Sequence, residues 1–363
     1  MAGERVLLIT RKWAPAVGGM ETYCLRLVEH LRQTRDVDVI ALPGRSDGRP
    51  PSALALCLFP FIVLRKWFAL PGRFDVVHVG DLAIWPFGLL AMVFARGATV
   101  VVSAHGTDIS FSRRKGVRGT AYGLYQRIGA RLLRGALIIA NSETTAAACA
   151  EHGWRKLSII PLATDLCHPV DRHFSSTRLL FAGRLVKRKG LGWFVREVLP
   201  LLPSDIGIDV AGVVTDPAEA SALESERVRF LGPLEQTELA TRFAQALCVI
   251  VPNIERANGE FEGFGLVACE AAACGGFVLA ARTGGLQSAV RDGQTGFLLP
   301  AGYAPAWAEK IEQVRAWTRD RRIAFLERSH VLAASHFSWE RVAHETCEVY
   351  CEARATPGTA AAE

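Results

Sequence analysis

Metal and disulfide signals are scarce in this sequence. Its nine cysteines are odd in number and include no Cys-x-x-Cys pair, which argues against a disulfide framework and for a reduced protein. The nearest approach to a metal-binding pattern is His344, Cys347 and Cys351 at helical spacing near the end of the chain, and we interpret it as helix packing. We therefore expect no bound metal.

Long hydrophobic runs are also missing. No apolar segment reaches the roughly 18–20 residues that a membrane-spanning helix needs. The apolar stretch Val6–Ile9 is too short for the core of a signal peptide and is followed at once by Arg11 and Lys12, so it predicts a first buried strand. No zinc-finger, RNP or helix-turn-helix signature is present, which disfavours nucleic acid as a partner. The expected location is the cytoplasm, with contact at the inner face of the membrane as an open possibility.

That possibility comes from an uneven distribution of charge. Residues 1–172 carry 22 Lys and Arg against 13 Asp and Glu, a net charge of +9, and seven of the basic residues lie between Arg113 and Arg134. Such a face could meet anionic lipid or a phosphorylated acceptor, or could be a solvated helix. Residues 49–74 are apolar with basic and aromatic edges, which fits either a membrane-surface element or a buried helix packed on a sheet.

Short apolar runs alternate with helical stretches along the whole chain, which indicates parallel sheets covered on both faces. The pattern starts afresh near Leu179, after a polar linker at 168–177, so we expect two doubly wound domains. The predicted domains are 1–168, 169–335, a crossing helix 336–352 and a tail 353–363. Predicted strands are Val6–Thr10, Val37–Ala41, Val76–Val79, Thr99–Ser103, Leu137–Ala140, Ser158–Ile160, Leu179–Ala182, Ile208–Ala211, Val228–Phe230, Cys248–Val251 and Phe277–Ala280.

The most informative segment places two carboxylates, Glu262 and Glu270, around a glycine-rich turn and the start of a predicted helix at 266–274. Glycines at a helix start let a ligand approach free N–H groups, and the helix dipole there favours an anion. A phosphate flanked by hydroxyl groups, as in a nucleotide sugar, would suit such a site. By themselves the two carboxylates could equally be a general acid and base.

A basic segment follows the predicted strand Leu179–Ala182. Arg184 and Lys189 come directly after that strand, where the carboxyl ends of parallel strands form ligand sites. A diphosphate would satisfy both cations, although a solvated basic loop would look the same.

Three further signals lie in the first half of the chain. Gly18 and Gly19 open a helix after the first strand and could offer N–H groups to a phosphate. His105 follows the predicted strand Thr99–Ser103 and could bond a sugar hydroxyl. Asn141 or Ser142 is placed to cap a helix.

Together these motifs resemble the retaining glycosyltransferases of family 4, which have the GT-B fold. The resemblance covers about residues 5–352 and implies an α/β architecture of two doubly wound, Rossmann-like domains that face a deep interdomain cleft. It also implies individual roles. Arg184 and Lys189 would hold the donor diphosphate, Glu270 the ribose and Glu262 the donor sugar. His105 would touch the transferred sugar, while the remaining donor contacts would come from Gly18, Gly19, Phe264, Gly265, Leu266 and Val267.

The implied activity is metal-independent transfer of a hexose from a nucleotide diphosphate sugar to an acceptor hydroxyl, with retention, in cell-envelope or extracellular polysaccharide or glycolipid synthesis. No cofactor is implied beyond the donor, and the acceptor would be a glycan or lipid-linked. A sugar-nucleotide epimerase or phosphorylase of the same fold and a non-catalytic scaffold are the alternatives. The sequence departs from the family at Ala211–Gly212, where a Gly-x-Gly turn is usual.

Overall fold

The computed structural model describes residues 4–16, 18–171 and 173–355. Val17 in the predicted glycine motif, Arg172 in the predicted linker, and residues 356–363 of the predicted tail lie outside the described residues. Residues 353–355, which the sequence analysis assigns to the tail, belong to the last helix.

The chain divides into two compact units. Unit 1 comprises Met1–Pro161 and Trp339–Glu363, and unit 2 comprises Leu162–Ser338. The chain enters unit 2 before residue 168, the end of the first domain predicted from the sequence. The Thr164 N–H donates to the Phe337 carbonyl at 3.1 Å, which ties this segment to the end of unit 2.

Unit 1 is built on a six-stranded parallel sheet of order β2-β1-β3-β4-β5-β6. Its strands are β1 (Arg5–Thr10), β2 (Asp36–Ala41), β3 (Val76–Val79), β4 (Thr99–Ala104), β5 (Leu137–Ala140) and β6 (Lys156–Ile159). Its first helices are α1 (Gly19–Leu31), α2 (Ala53–Ala69), α3 (Pro86–Phe94), α4 (Thr107–Ser110), α5 (Val117–Leu132) and α6 (Glu143–Glu151).

Unit 2 repeats this architecture with the order β12-β11-β10-β7-β8-β9, again all parallel. Its strands are β7 (Arg178–Ala182), β8 (Gly207–Ala211), β9 (Val228–Gly232), β10 (Val249–Val251), β11 (Val278–Ala281) and β12 (Phe297–Leu299). Its helices are α7 (Leu191–Trp193, continued by a π-helical turn at Phe194–Val198), α8 (Pro217–Ala220), α9 (Gln236–Gln245), α10 (Leu266–Ala273), α11 (Leu286–Ala289), α12 (Ala304–Arg315) and α13 (Arg319–His336).

The last helix, α14 (Trp339–Ala355), belongs to unit 1. The buried Tyr350 hydroxyl lies 2.6 Å from Nδ1 of His78 on β3, and the other ring nitrogen of His78 lies 2.7 Å from Oγ of Ser103 on β4. A polar network buried this deeply is stable only when its members are paired, so it fixes α14 against the sheet.

The ambiguous segment 49–74 contains α2, and only one side of that helix is buried, through Phe59, Val63 and Trp67. Its remaining apolar side chains include exposed Leu54 and Phe61. The helix therefore packs on its own unit and still presents an apolar surface, and the interpretation as a membrane-surface element stays a prediction. Among the described residues, no helix is long and apolar enough to cross a membrane.

Candidate active site

The loop after β7 carries the predicted cations. Lys187–Lys189 form a single 3₁₀ turn that ends at Gly190, whose φ is +75°. A Cβ at Gly190 would lie 1.9 Å from the Pro252 carbonyl oxygen, and the Ile254 N–H donates to the Arg188 carbonyl at 3.1 Å. Close contact between these two loops, which follow neighbouring strands β7 and β10, therefore requires glycine at position 190.

Glu262 is the point on which this loop converges. Its Oε2 atom accepts from Lys189 Nζ at 2.6 Å, from Asn253 Nδ2 at 3.0 Å, and also from Arg188 Nη1. Oε1 has no recorded partner among the described residues. The carboxylate is thus held by one oxygen, and the other remains able to accept hydrogen bonds from a ligand hydroxyl.

Burial alone would raise the pKa of Glu262, but the charges of Lys189 and Arg188 and the hydrogen bonds from Lys189 and Asn253 lower this pKa to about 2. Glu262 is therefore ionised at neutral pH. A carboxylate with so low a pKa is a weak base, which argues against the general-base role that the sequence leaves open.

The glycine-rich turn after Glu262 leads into α10. Gly265, with φ +100°, caps this helix without a side-chain hydrogen bond, so the cap residue itself satisfies none of the first N–H groups of the helix. The turn is braced by a second one, in which the Gly285 N–H donates to the Glu262 carbonyl at 2.7 Å, and a Cβ at Gly285 would lie 2.1 Å from the Gly263 carbonyl oxygen. The helix start, with Leu266 and Val267 half-buried, can receive an anion.

Glu270 lies one turn into α10 and is half-buried. Burial raises its pKa to about 7, although the positive charge of Lys189 acts in the opposite direction. No described residue is recorded as a hydrogen-bond partner of its carboxyl group. An unpaired carboxyl group of this kind can be stabilised by hydroxyl donors from a ligand.

Arg184 is exposed, and its guanidinium group has no recorded partner among the described residues. The turn that carries it approaches the turn after β8, because a Cβ at Gly212 would lie 1.9 Å from the Gly183 carbonyl oxygen. Although the sequence departs here from the family's Gly-x-Gly turn, Gly212 is present, and this contact requires glycine at that position.

In unit 1, Gly18 precedes α1 in an extended conformation and Gly19 begins the helix. A Cβ at Gly18 would lie 2.6 Å from Oε2 of Glu21, a buried residue whose Oε1 is 3.2 Å from Lys12 Nζ. The Glu21 carboxylate was not among the predicted site residues. It faces the same helix terminus at which a phosphate is expected, and Lys12 is the cation beside it.

His105 follows β4 and is buried in unit 1. Its Nε2 atom donates to the Gly80 carbonyl at 2.9 Å, which leaves Nδ1 as an acceptor with no partner among the described residues. The ring of Tyr23 contacts the imidazole edge-on at a centroid distance of 4.8 Å and fixes its orientation. His105 can therefore accept a hydrogen bond from a ligand hydroxyl.

Unit 2 thus brings together Lys189, Glu262 and Glu270, whereas Gly18, Gly19 and His105 belong to unit 1. Sequence reasoning missed the roles of Arg188 and Asn253. Asn253 comes two residues after β10, so its position at the carboxyl end of a strand was a usable signal. The cap of α6 is Ser142, whose Oγ accepts from the Thr145 N–H at 3.1 Å.

The helical cluster of His344, Cys347 and Cys351 does not pack as expected, because His344 and Cys351 are exposed on α14. The buried positions of that helix over residues 339–352 are Trp339, Val342, Ala343, Thr346, Val349 and Tyr350. No group of three or more His, Cys, Asp or Glu in the described part of the chain could hold a metal ion.

Comparison with known proteins places these features in a class. The structural match to sucrose-phosphate synthase from Thermosynechococcus elongatus covers 98% of this chain and 100% of that one, with 22% identity and a TM-score of 0.74. The match to HepE from Anabaena, solved with UDP and glucose, covers 96% of this chain and 100% of that one, with 18% identity and a TM-score of 0.70. Two parallel six-stranded sheets together with this similarity define a GT-B fold.

The sequence identifies the family. Residues 17–167 match the family model described as Glycosyltransferase Family 4, and residues 176–316 match that of Glycosyl transferases group 1. A D-inositol 3-phosphate glycosyltransferase from Catenulispora acidiphila is 30% identical over 96% of this chain and 86% of its own length. The chain belongs to the family 4, group 1 glycosyltransferases, and it is a glycosyltransferase.

Proposed function

We propose that this glycosyltransferase moves a hexose from a nucleotide diphosphate sugar to a hydroxyl of a glycan or lipid-linked acceptor, in cell-envelope or extracellular polysaccharide or glycolipid synthesis. The observation that carries the proposal is the convergence of Arg188, Lys189 and Asn253 on one oxygen of Glu262, close to the open start of α10. HepE, solved with UDP and glucose, shares the fold and supports a nucleotide-sugar donor.

In this proposal the donor diphosphate lies against Arg184, Lys189 and the first N–H groups of α10. Negative charge that develops on the β-phosphate as the glycosidic bond breaks is stabilised by these groups. Oε1 of Glu262 accepts from sugar hydroxyls and Glu270 accepts from the ribose. Nδ1 of His105 accepts from a hydroxyl of the transferred sugar.

We further propose that transfer retains the anomeric configuration without a covalent glycosyl-enzyme. A pKa of about 2 makes Glu262 a poor nucleophile, and Lys189 and Arg188 would have to give up their counter-charge if it attacked. The acceptor hydroxyl would instead approach from the face that the leaving diphosphate occupies, as the family resemblance implies.

The first experiment is a thermal-shift screen against UDP-, GDP- and ADP-sugars, because a donor that binds only the folded state raises its stability. The best donor is then incubated with and without acceptors. These should include inositol phosphate, since the relative from Catenulispora acidiphila is a D-inositol 3-phosphate glycosyltransferase. Transfer with retained anomeric configuration by NMR is the expected result. Consumption of donor without acceptor would favour the epimerase, transfer of the sugar to or from inorganic phosphate would favour the phosphorylase, and binding without turnover would favour the scaffold.

We also propose that unit 1 makes peripheral contact with the anionic inner face of the cytoplasmic membrane. Helices α2, α3 and α5 adjoin one another, since Phe59 of α2 contacts Phe87 of α3 at 5.2 Å between centroids, and a Cβ on Gly88 of α3 would lie 3.0 Å from Leu133 after α5. None of the three helices contains Asp or Glu. Their exposed large apolar residues are Leu54, Leu56, Leu58, Phe61, Phe68, Met92, Val93, Phe94, Val117, Leu124, Ile128 and Leu132.

A bilayer surface suits this layer because it offers apolar volume and negative charge together. A second copy of this chain would suit the surface less well, because the arginines of the two copies would face one another and repel.

The test is sedimentation with vesicles of phosphatidylcholine, with and without phosphatidylglycerol, at low and high salt. Leu54→Ser with Phe61→Ser, at positions 69% and 70% exposed, should abolish binding, and the control Leu201→Ser with Val331→Ser, at positions 54% and 68% exposed in unit 2, should not. Equal binding by both double variants would contradict the proposal.

A further inference from the structure

A cavity of about 620 Å³ opens on unit 1 beside the second half of α5. Four arginines line it: Arg127 and Arg131 on α5, Arg134 just after that helix, and Arg155 just before β6. The cavity is therefore a concentrated region of positive charge on a unit whose sequence is already basic.

Within unit 1, this cavity is remote from His105. Its lining residue Ala136 immediately precedes β5, and Arg155 immediately precedes β6, so it lies at the amino ends of these strands. His105 follows the carboxyl end of β4. Because all strands of this sheet are parallel, the cavity and His105 lie at opposite ends of the strands.

The positive charge of the cavity is not compensated within the protein. Glu151 is the one carboxylate in its lining, and it is bound by Arg113 at 2.8 Å. Arg127, Arg131, Arg134 and Arg155 have no recorded ion pair among the described residues. All four arginines are exposed, so water screens part of their mutual repulsion, and an anionic ligand in the cavity would relieve the remainder.

A second feature of the lining indicates a missing hydrogen-bond acceptor. Trp154 is buried, and its indole Nε1–H has no acceptor in the described part of the chain. An unpaired buried donor is unfavourable, and an oxygen atom of a bound ligand could pair with it. The exposed side chains of Leu124 and Ile128 add apolar surface beside the arginines.

We propose that this cavity binds a phosphate group, through bidentate contacts from the arginines and the indole N–H of Trp154. The group could belong to a soluble phosphate compound or to the headgroup of an anionic lipid, since Leu124 and Ile128 also belong to the apolar layer of α2, α3 and α5. Both sources present the same chemistry to the cavity, and the experiment separates them.

The experiment is hydrogen exchange with mass spectrometry on the full chain. One arm adds sodium pyrophosphate, and the other adds phosphatidylcholine vesicles with or without phosphatidic acid. The readout is protection of residues 124–136 and 151–156, while protection of 183–190 reports separately on the proposed donor site. The cavity variant is Arg127→Gln with Arg131→Gln. The matched control, Arg291→Gln with Arg328→Gln, removes the same charge from exposed positions of unit 2, outside the proposed membrane surface.

Protection by pyrophosphate would identify a soluble phosphate compound, and protection only by vesicles with phosphatidic acid would identify a lipid headgroup. In either case the cavity variant should need about tenfold more ligand or higher, because two charge-assisted contacts are lost, and the control should differ less than about twofold from the native chain. Matching circular dichroism and melting temperatures establish that both variants fold. If neither ligand protects these segments, or if the control loses as much as the cavity variant, the proposal is wrong.

Discussion

At the scale of single residues, Glu270 combines a place in the proposed donor site with a cost in stability. Burial raises its pKa to about 7 from an ordinary value of 4.5. The folded state therefore disfavours the ionised form, so this carboxyl group lowers the free energy of unfolding progressively as pH rises from about 4.5 through 7. Such a cost is typical of groups whose role is to meet a ligand.

Glu270→Gln should accordingly stabilise the free protein at pH 8, by about 1–3 kcal/mol, with little effect at pH 4.5, because amide and protonated carboxyl are both neutral. Urea unfolding at the two pH values measures this. The same substitution should weaken donor binding and remove a rise in donor KM that we expect in the native enzyme below pH 7. A variant less stable at pH 8 than the native chain would contradict this account of Glu270.

Glu262 has the opposite electrostatic character. Because its folded pKa of about 2 lies below the ordinary 4.5, its ionisation contributes stability that is present above about pH 4.5 and is lost as pH falls towards 2. Glu262→Gln leaves Lys189 and Arg188 without their counter-charge. We expect a loss of about 1–3 kcal/mol in the free energy of unfolding at pH 7, and a much smaller loss at pH 2.

A prediction about catalysis concerns the ion pair of Lys189 and Glu262. Lys189→Ala and Glu262→Ala should each lower kcat/KM by about 10²–10³-fold, as for the loss of one group that stabilises transition-state charge. Steady-state kinetics with the identified donor provide the measurement, and exposed Lys187→Ala in the same turn is the control. Full activity in both alanine variants would show that the active-site assignment is wrong.

At the scale of elements, the turns after the strands of unit 2 depend on close backbone contact. Gly190 and Gly232 have nearly the same φ, +75° and +71°, but a Cβ at Gly190 would lie 1.9 Å from the Pro252 carbonyl oxygen, and a Cβ at Gly232 would meet nothing within 4 Å. The two positions therefore separate backbone strain from steric contact.

Gly232→Ala should lower the free energy of unfolding by about 1 kcal/mol, the usual penalty of a positive φ. Gly190→Ala should cost more, about 2–4 kcal/mol, and should also reduce transferase activity, because displacement of the loop moves Lys189 away from Glu262. Denaturant unfolding and kinetics on both variants test this. Similar losses for the two glycines would mean that the loop yields without affecting the site.

Sequence patterns located most elements well, because a parallel strand covered on both faces is a continuous apolar run. The predicted strands Val76–Val79 and Leu137–Ala140 coincide with β3 and β5. The strand β12 escaped prediction because its apolar run, Phe297–Leu299, is bounded at once by Gly296 and Pro300, whereas the equally short β10 is preceded by apolar Leu247 and Cys248. Its place at the sheet edge comes from pairing with β11, which involves residues distant in sequence.

At the scale of the whole molecule, the proposed chemistry depends on cations of the protein itself. Since Arg184, Lys189 and the start of α10 provide positive charge for the diphosphate, we expect transfer to proceed without a divalent cation. Dialysis against EDTA followed by assay with and without Mg²⁺ or Mn²⁺ tests this expectation. A loss of activity with EDTA that only a divalent cation restores would contradict it.

The sequence by itself determined the α/β class, the repeat of strand and helix in two halves, and the residue types of the site, because these follow from local periodicity and from glycine and charge at the ends of strands. Only the tertiary structure decided which partners those residues have. Lys189 and Arg188 share Glu262, Glu21 faces the start of α1, and one side of α2 remains exposed, because each arrangement depends on contacts between segments far apart in the chain. No local pattern encodes such distances.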